Sequence, residues 1–172
     1  GLDRVGGSMG QVVDNGIALR SQMVADMMHD SLRADVYGAL HAGAGATGQQ
    51  KKKLREEAKG HGVLLISSID DAARAVGDPQ IRGLLTRVRP QLENYVAISE
   101  QMVALALVDY VGAMDRLPHF VETFERLEQE MEQIADAIQG DSARSRRAGN
   151  GAVQFSRTVI VAVCLLAAAL LL

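Results

Sequence analysis

Apolar residues recur at alternating steps of four and three along most of this chain, with polar residues between them. The pattern is clearest over residues 118–139. There the apolar positions form one stripe: Phe120, Phe124, Leu127, Met131, Ile134 and Ile138. Because this spacing keeps the apolar side chains on one side of a helix, it predicts an amphipathic helix with a single buried face. Asp115 and Pro118 fit the start of that helix, since proline is tolerated in a first turn.

Three earlier segments show the same step and are separated by turn signals. They cover residues 11–41, 50–76 and 80–114. On the first, the apolar face carries Ala25, Met28, Leu32, Val36 and Ala39. A glycine-rich loop at 43–48 and the tripeptide Gly77-Asp78-Pro79 mark two of the connections. Pro90 lies inside the third segment and predicts a kink or a restart, at a cost of about 3 kcal/mol.

Four amphipathic helices with short connections predict an all-α fold. Short loops make neighbouring helices antiparallel, so an antiparallel up-down-up-down four-helix bundle is the economical way to bury four stripes. We expect residues 1–140 to form this bundle, with a length of about 40 Å.

The end of the chain has a different pattern. Residues 158–172 read TVIVAVCLLAAALLL, which is apolar after the first threonine. A membrane-spanning helix needs about 20 apolar residues, so we interpret 158–172 as the start of a truncated transmembrane helix. Residues 141–157 would be a juxtamembrane linker, with frayed helix or a flexible collar over the glycine- and arginine-containing stretch 140–151. Together with the first residue, Gly1, this pattern predicts that the chain is a fragment of a longer protein.

Composition argues against several functional classes. The net charge is −3 and aromatic residues make up 3% of the chain, which does not suit a nucleic-acid partner. Cys164 is the only cysteine and lies in the apolar end. The sequence has no phosphate-binding loop after a strand, no nucleophile elbow and no His-Glu-x-x-His motif. We therefore expect no enzymatic activity, no cofactor and no metal site.

The densest polar cluster lies on the first predicted helix. Its members are spaced three or four residues apart, which predicts one face opposite the apolar stripe: Asp26, His29, Asp30, Arg33, Tyr37 and His41. One interpretation is a solvated face with weak pairs such as Asp30 with Arg33. The other is a ligand-binding face made of His29, Asp30, Arg33 and Tyr37, in which Arg33 binds a carboxylate or phosphate.

A metal site is the third interpretation of this cluster. His29 with Asp26 or Asp30 offers two ligands, and His61 or His119 would have to supply another. A closed zinc site needs four ligands, and no second spaced motif completes one. Tyr95, by contrast, lies in an apolar stripe and is predicted to be a core tyrosine with a satisfied hydroxyl.

Three segments carry a resemblance to a known family. The stretches ADMMHDSLRADVYGAL, LENYVAISEQMVALALVD and FVETFERLEQEMEQIADAI resemble the extracytoplasmic four-helix-bundle sensor regions of bacterial methyl-accepting chemotaxis proteins and related sensor kinases. The resemblance implies a homodimer in the inner membrane, with residues 1–157 on the periplasmic side. It also implies a small ligand, and one arginine with one histidine suits many organic anions. Ligand binding would then displace the last helix slightly and carry a signal across the membrane.

Two alternatives remain open at this point. Arg144, Arg146, Arg147 and Arg157 precede the apolar run, and positive charge beside a span favours the cytoplasm. That pattern favours a C-terminally tail-anchored helical tether. A helical module that binds a protein partner and no small ligand is the second alternative.

Overall fold

The computed structural model describes the backbone of residues 2–169 and the side chains of residue 10 and residues 13–147. All regular structure in this backbone is α-helical, as predicted. The four helices are α1 (Leu2–Ala42), α2 (Gly48–Ala75), α3 (Pro79–Ala106) and α4 (Tyr110–Ala169). The fold is therefore an all-α bundle of four helices.

Local capping explains the two connections that the sequence marked. Gly43 ends α1 with φ of 60°, a left-handed conformation that glycine adopts without strain. Thr47 then caps α2 in a capping box with Gln50. Asp78 caps α3, its side chain accepting from the Gln80 backbone N–H at 2.7 Å, and Pro79 follows in the first turn. Both predicted turns are confirmed.

The boundary between the third and fourth helices was predicted too late. α3 ends at Ala106, α4 begins at Tyr110, and Asp109 accepts from the Gly112 backbone N–H at 3.0 Å. Apolar residues continue through this turn, so periodicity alone hides it. Pro118 lies inside α4, and Pro90 lies inside an α3 that the structure shows as one helix. Tertiary packing holds both helices together despite the backbone hydrogen bond that each proline removes.

α4 is one helix from the bundle to Ala169, so the backbone is helical through the predicted linker. Within the part of the chain whose side chains are described, no helix is long and apolar enough to cross a membrane. The predicted span at 158–172 falls beyond those residues and stays a prediction.

The predicted apolar stripe of α4 forms one wall of the core. All its members are at most 3% exposed, from Phe120 to Ile138. On α1 the buried positions alternate steps of three and four: Asn15, Ala18, Gln22, Ala25, His29, Leu32, Val36 and Ala39. Three of these residues are polar, and they recur every seven residues. The seam between α1 and α4 therefore combines apolar packing with buried polar groups.

Candidate functional site

The polar cluster predicted on α1 does not form a single face. Asp30 and Tyr37 are exposed and Arg33 is half-buried, whereas His29 is 2% exposed. The predicted position of His29 opposite the apolar stripe is therefore wrong. On a helix of 3.6 residues per turn, His29 follows Gln22 and Ala25 on the core side. The other predicted site residues lie beside the edge where α1 meets α4.

An aromatic cluster surrounds His29 in the core. Its imidazole stacks on the Phe124 ring, with 4.2 Å between centroids and 8° between planes. The Tyr95 ring lies 4.8 Å away at a tilt of 48°, and the Tyr95 hydroxyl donates to the His29 carbonyl at 3.0 Å. The predicted core position of Tyr95, with its hydroxyl satisfied, is confirmed. This cluster ties α1, α3 and α4 together at one level of the bundle.

Phe124 connects the buried histidine to the surface arginine. The guanidinium carbon of Arg33 lies 4.1 Å from the centroid of the Phe124 ring, a cation–π distance. Two groups at these distances cannot occupy the same face of one ring, so Phe124 lies between His29 and Arg33. Arg33 also donates to Asp30 at 2.8 Å. Its position is thus fixed by an aromatic face and a carboxylate together.

A groove of about 250 Å³ lies beside Arg33, between α1 and α4. α1 contributes Arg33 and Tyr37, and α4 contributes Phe120, Val121, Phe124, Glu125 and Glu128. Two predicted site residues, Arg33 and Tyr37, therefore share a groove, while Asp30 adjoins it through its ion pair and His29 lies behind Phe124. An arginine and a phenol at the edge of a groove can bind a small anionic group.

Burial controls the protonation of His29. The pKa of His29 falls from 6.5 to about 4, chiefly because burial removes solvent from the ring; Arg33 also lowers this pKa, whereas Asp30 and the Phe124 backbone act in the opposite sense. Its Nε2 atom is buried and has no hydrogen-bond partner. At neutral pH the ring is an uncharged aromatic member of the core. Burial likewise raises the pKa of Tyr95.

The sequence patterns missed two polar contacts between helices. Oδ2 of Asp35 on α1 lies 2.7 Å from Nδ1 of His61 on α2. The pKa of Asp35 is raised, chiefly by burial, although His61 acts in the opposite sense. On the other side of α2, Arg89 donates to both carboxylate oxygens of Asp70, at 2.9 and 3.3 Å, and this lowers the pKa of Asp70. Periodicity assigns such residues to helix edges but does not say which of them meet.

Among the residues whose side chains are described, no group of three His, Cys, Asp or Glu residues is arranged to hold a metal ion. Asp26, one of the ligands considered with His29, instead lines a second groove between α1 and α4. Comparison of the chain with protein-family models, with curated proteins and with solved structures gives no match.

Proposed function

We propose that this chain is the ligand-sensing extracytoplasmic region of a transmembrane chemoreceptor. In this hypothesis residues 158–172 enter the bacterial inner membrane and residues 1–157 lie in the periplasm. The observation that carries the proposal is the continuity of α4. This helix begins in the bundle, passes the groove at Phe124 and runs without a break to Ala169. A continuous helix can carry a small displacement from a groove at one level to a distant end.

Contact pairs support an up-down-up-down arrangement for this sensor. Three contacts between α1 and α4 follow one another in sequence order along α1. Asn15 donates to Asp141, Gln22 donates to the Met131 carbonyl, and His29 stacks on Phe124. Rising numbers on α1 meet falling numbers on α4, as antiparallel helices require. Asp35 with His61 and Asp70 with Arg89 each join two helices that are successive in the chain.

The ligand groove would work by favouring one packing of α1 against α4. A ligand that contacts Arg33 and Tyr37 on α1 and Val121 on α4 favours one of two packings. It can shift α4 only as far as the ligand's affinity differs between those two packings. The seam suits such a shift because it is not uniformly apolar. Asn15, Gln22 and His29 interrupt the apolar contacts at successive heptads.

Homodimer formation is the second part of the proposal. Opposite its core face, α1 exposes several large apolar side chains: Val13 (57%), Ile17 (47%), Met23 (65%) and Met27 (59%). Positions 13, 17, 20, 24 and 27 are separated by alternating steps of four and three, which is the spacing of a helical seam. Four of these positions are apolar, namely Val13, Ile17, the partly buried Val24 and Met27, and the fifth is Arg20. A second copy of α1 is the occupant that this repeat fits.

The tail-anchored tether remains the second candidate, because the arginines from Arg144 to Arg157 favour a cytoplasmic position for the bundle. Cysteine labelling separates the two. Gly45 lies in the exposed α1–α2 loop with open space around its Cα, so Gly45→Cys in a Cys164→Ser background gives one accessible thiol. The sensor hypothesis predicts reaction with a membrane-impermeant maleimide in spheroplasts whose inner membrane is intact.

The tether hypothesis predicts the opposite result. In that case, Gly45→Cys would react only after the inner membrane is permeabilised. The Cys164→Ser chain without a new cysteine measures background labelling. A thiol protected until permeabilisation would overturn the sensor proposal.

A further inference from the structure

A larger groove, of about 410 Å³, lies between α1 and α4 on the N-terminal side of the Arg33 groove along α1. Its polar lining comes from both helices: Gln22 and Asp26 from α1, and Glu128, Gln129, Glu132 and Gln139 from α4. Met23 and Met131 are among the residues that give it an apolar surface. The sensor hypothesis does not use this groove.

The charge of the groove is negative. Asp26, Glu128 and Glu132 all line it, and its described lining includes no lysine, arginine or histidine. These three carboxylates form no ion pair with any residue whose side chain is described. Partial burial, and then the neighbouring Asp30 carboxylate, raise the pKa of Asp26. A positive charge in the groove beside Asp26 would offset the repulsion between the Asp26 and Asp30 carboxylates.

Gln22 provides an independent observation, because it holds an unpaired acceptor beside the groove. Its side chain lines the groove and is 2% exposed, and its Nε2 donates to the Met131 carbonyl at 3.3 Å. The amide oxygen of the same side chain is buried and has no partner. An unpaired buried acceptor is costly, and an N–H donor in the groove would satisfy it.

The shape and chemistry of the lining distinguish an organic cation from a metal ion. Among the described residues no three His, Cys, Asp or Glu side chains are arranged to hold a metal. Leu19, Met23 and Ala135 offer contact to carbon, and methionine adapts to chains of varied shape. The lining therefore suits a cation that has both N–H donors and an apolar body.

We propose that this groove binds an organic ammonium ion carrying a short apolar chain. The carboxylates of Asp26, Glu128 and Glu132 supply the charge. The Gln22 oxygen accepts one N–H, and the exposed Met23 contacts the chain. The inference concerns binding alone, so it stands or fails separately from the sensor proposal.

Isothermal titration of the full chain in detergent micelles tests the inference, with n-butylammonium chloride as the probe. We expect saturable binding at constant ionic strength, at least tenfold weaker binding by butyltrimethylammonium, which lacks N–H donors, and none by sodium butyrate. Asp26→Asn and Glu132→Gln should each weaken n-butylammonium binding at least tenfold. Glu122→Gln, an exposed site on α4 outside the groove, is the matched control and should bind within twofold of the original chain.

Three results would overturn the inference: no saturable binding of n-butylammonium, equal binding of butyrate, or equal loss in Glu122→Gln and Glu132→Gln. Equal binding of the primary and quaternary ammonium ions would overturn the hydrogen bond assigned to Gln22. Circular dichroism of each variant shows that the helices are intact, so a loss of binding is not a loss of fold. Cysteine labelling at Gly45 is unaffected by any of these results.

Discussion

Burial of His29 predicts a specific dependence of stability on pH. In the unfolded chain the imidazole gains a proton below its ordinary pKa of 6.5, whereas the folded protein resists protonation until about pH 4. The unfolded state therefore binds more protons between these values. Stability contributed by the neutral ring is complete above pH 6.5 and is lost as the pH falls towards 4.

The size of this effect follows from the two pKa values. A fall from 6.5 to about 4 corresponds to about 3 kcal/mol in total, and to about 2 kcal/mol of the free energy of unfolding between pH 7 and pH 5. Replacing the histidine by leucine, His29→Leu, removes the titrating group and keeps an apolar side chain of similar volume. Its pH dependence should therefore be flatter than that of the original chain by about 2 kcal/mol over this interval.

Urea unfolding at pH 7 and pH 5, followed by circular dichroism, measures the difference. The raised pKa values of Asp26 and Asp35 act in the opposite sense, but both carboxylates are present in both proteins and cancel in the comparison. His119→Leu, at an exposed site, is the matched control and should keep the original pH dependence. An identical dependence in the original chain and in His29→Leu would refute the burial of a neutral imidazole against Phe124.

Three further predictions test the core, the helix spacing and the Arg33 groove. Leu127→Ala should lower the free energy of unfolding by about 2–5 kcal/mol in a denaturant titration, because the 2% exposed leucine leaves a cavity; a change below about 1 kcal/mol would contradict its burial. Gly62→Ala should destabilise by about 1–3 kcal/mol in the same assay, since a Cβ there would lie 2.5 Å from Cγ1 of Val96, and Val96→Ala should restore part of the loss. Gly60→Ala, two residues away with open space, should instead stabilise by up to about 1 kcal/mol, and equal effects at both glycines would argue against close α2–α3 contact. Arg33→Ala should abolish thermal stabilisation by any organic anion found in a dialysis-based metabolite screen while ellipticity at 222 nm stays unchanged; retained stabilisation would exclude Arg33 from the site.

Local chemistry in the sequence determined the elements and two of their ends. The four-three step on α4 identified a stripe that the structure buries from Phe120 to Ile138. Gly43 and Asp78 marked turns because their backbone and capping preferences act over a few residues. The α3–α4 turn escaped detection, since apolar residues run through it and only Asp109 marks the new helix.

Tertiary structure alone decided which polar residues meet. The sequence grouped His29 with Asp30 and Arg33, whereas the bundle buries the histidine behind Phe124 and leaves Asp30 and Arg33 at the groove edge. Whether a residue in this turn of α1 is buried or exposed depends on where α4 packs. The contacts that decide it join residues more than 90 positions apart in the sequence. The unpaired oxygen of Gln22 likewise depends on the distance to Met131 across the seam, which no pattern within one helix specifies.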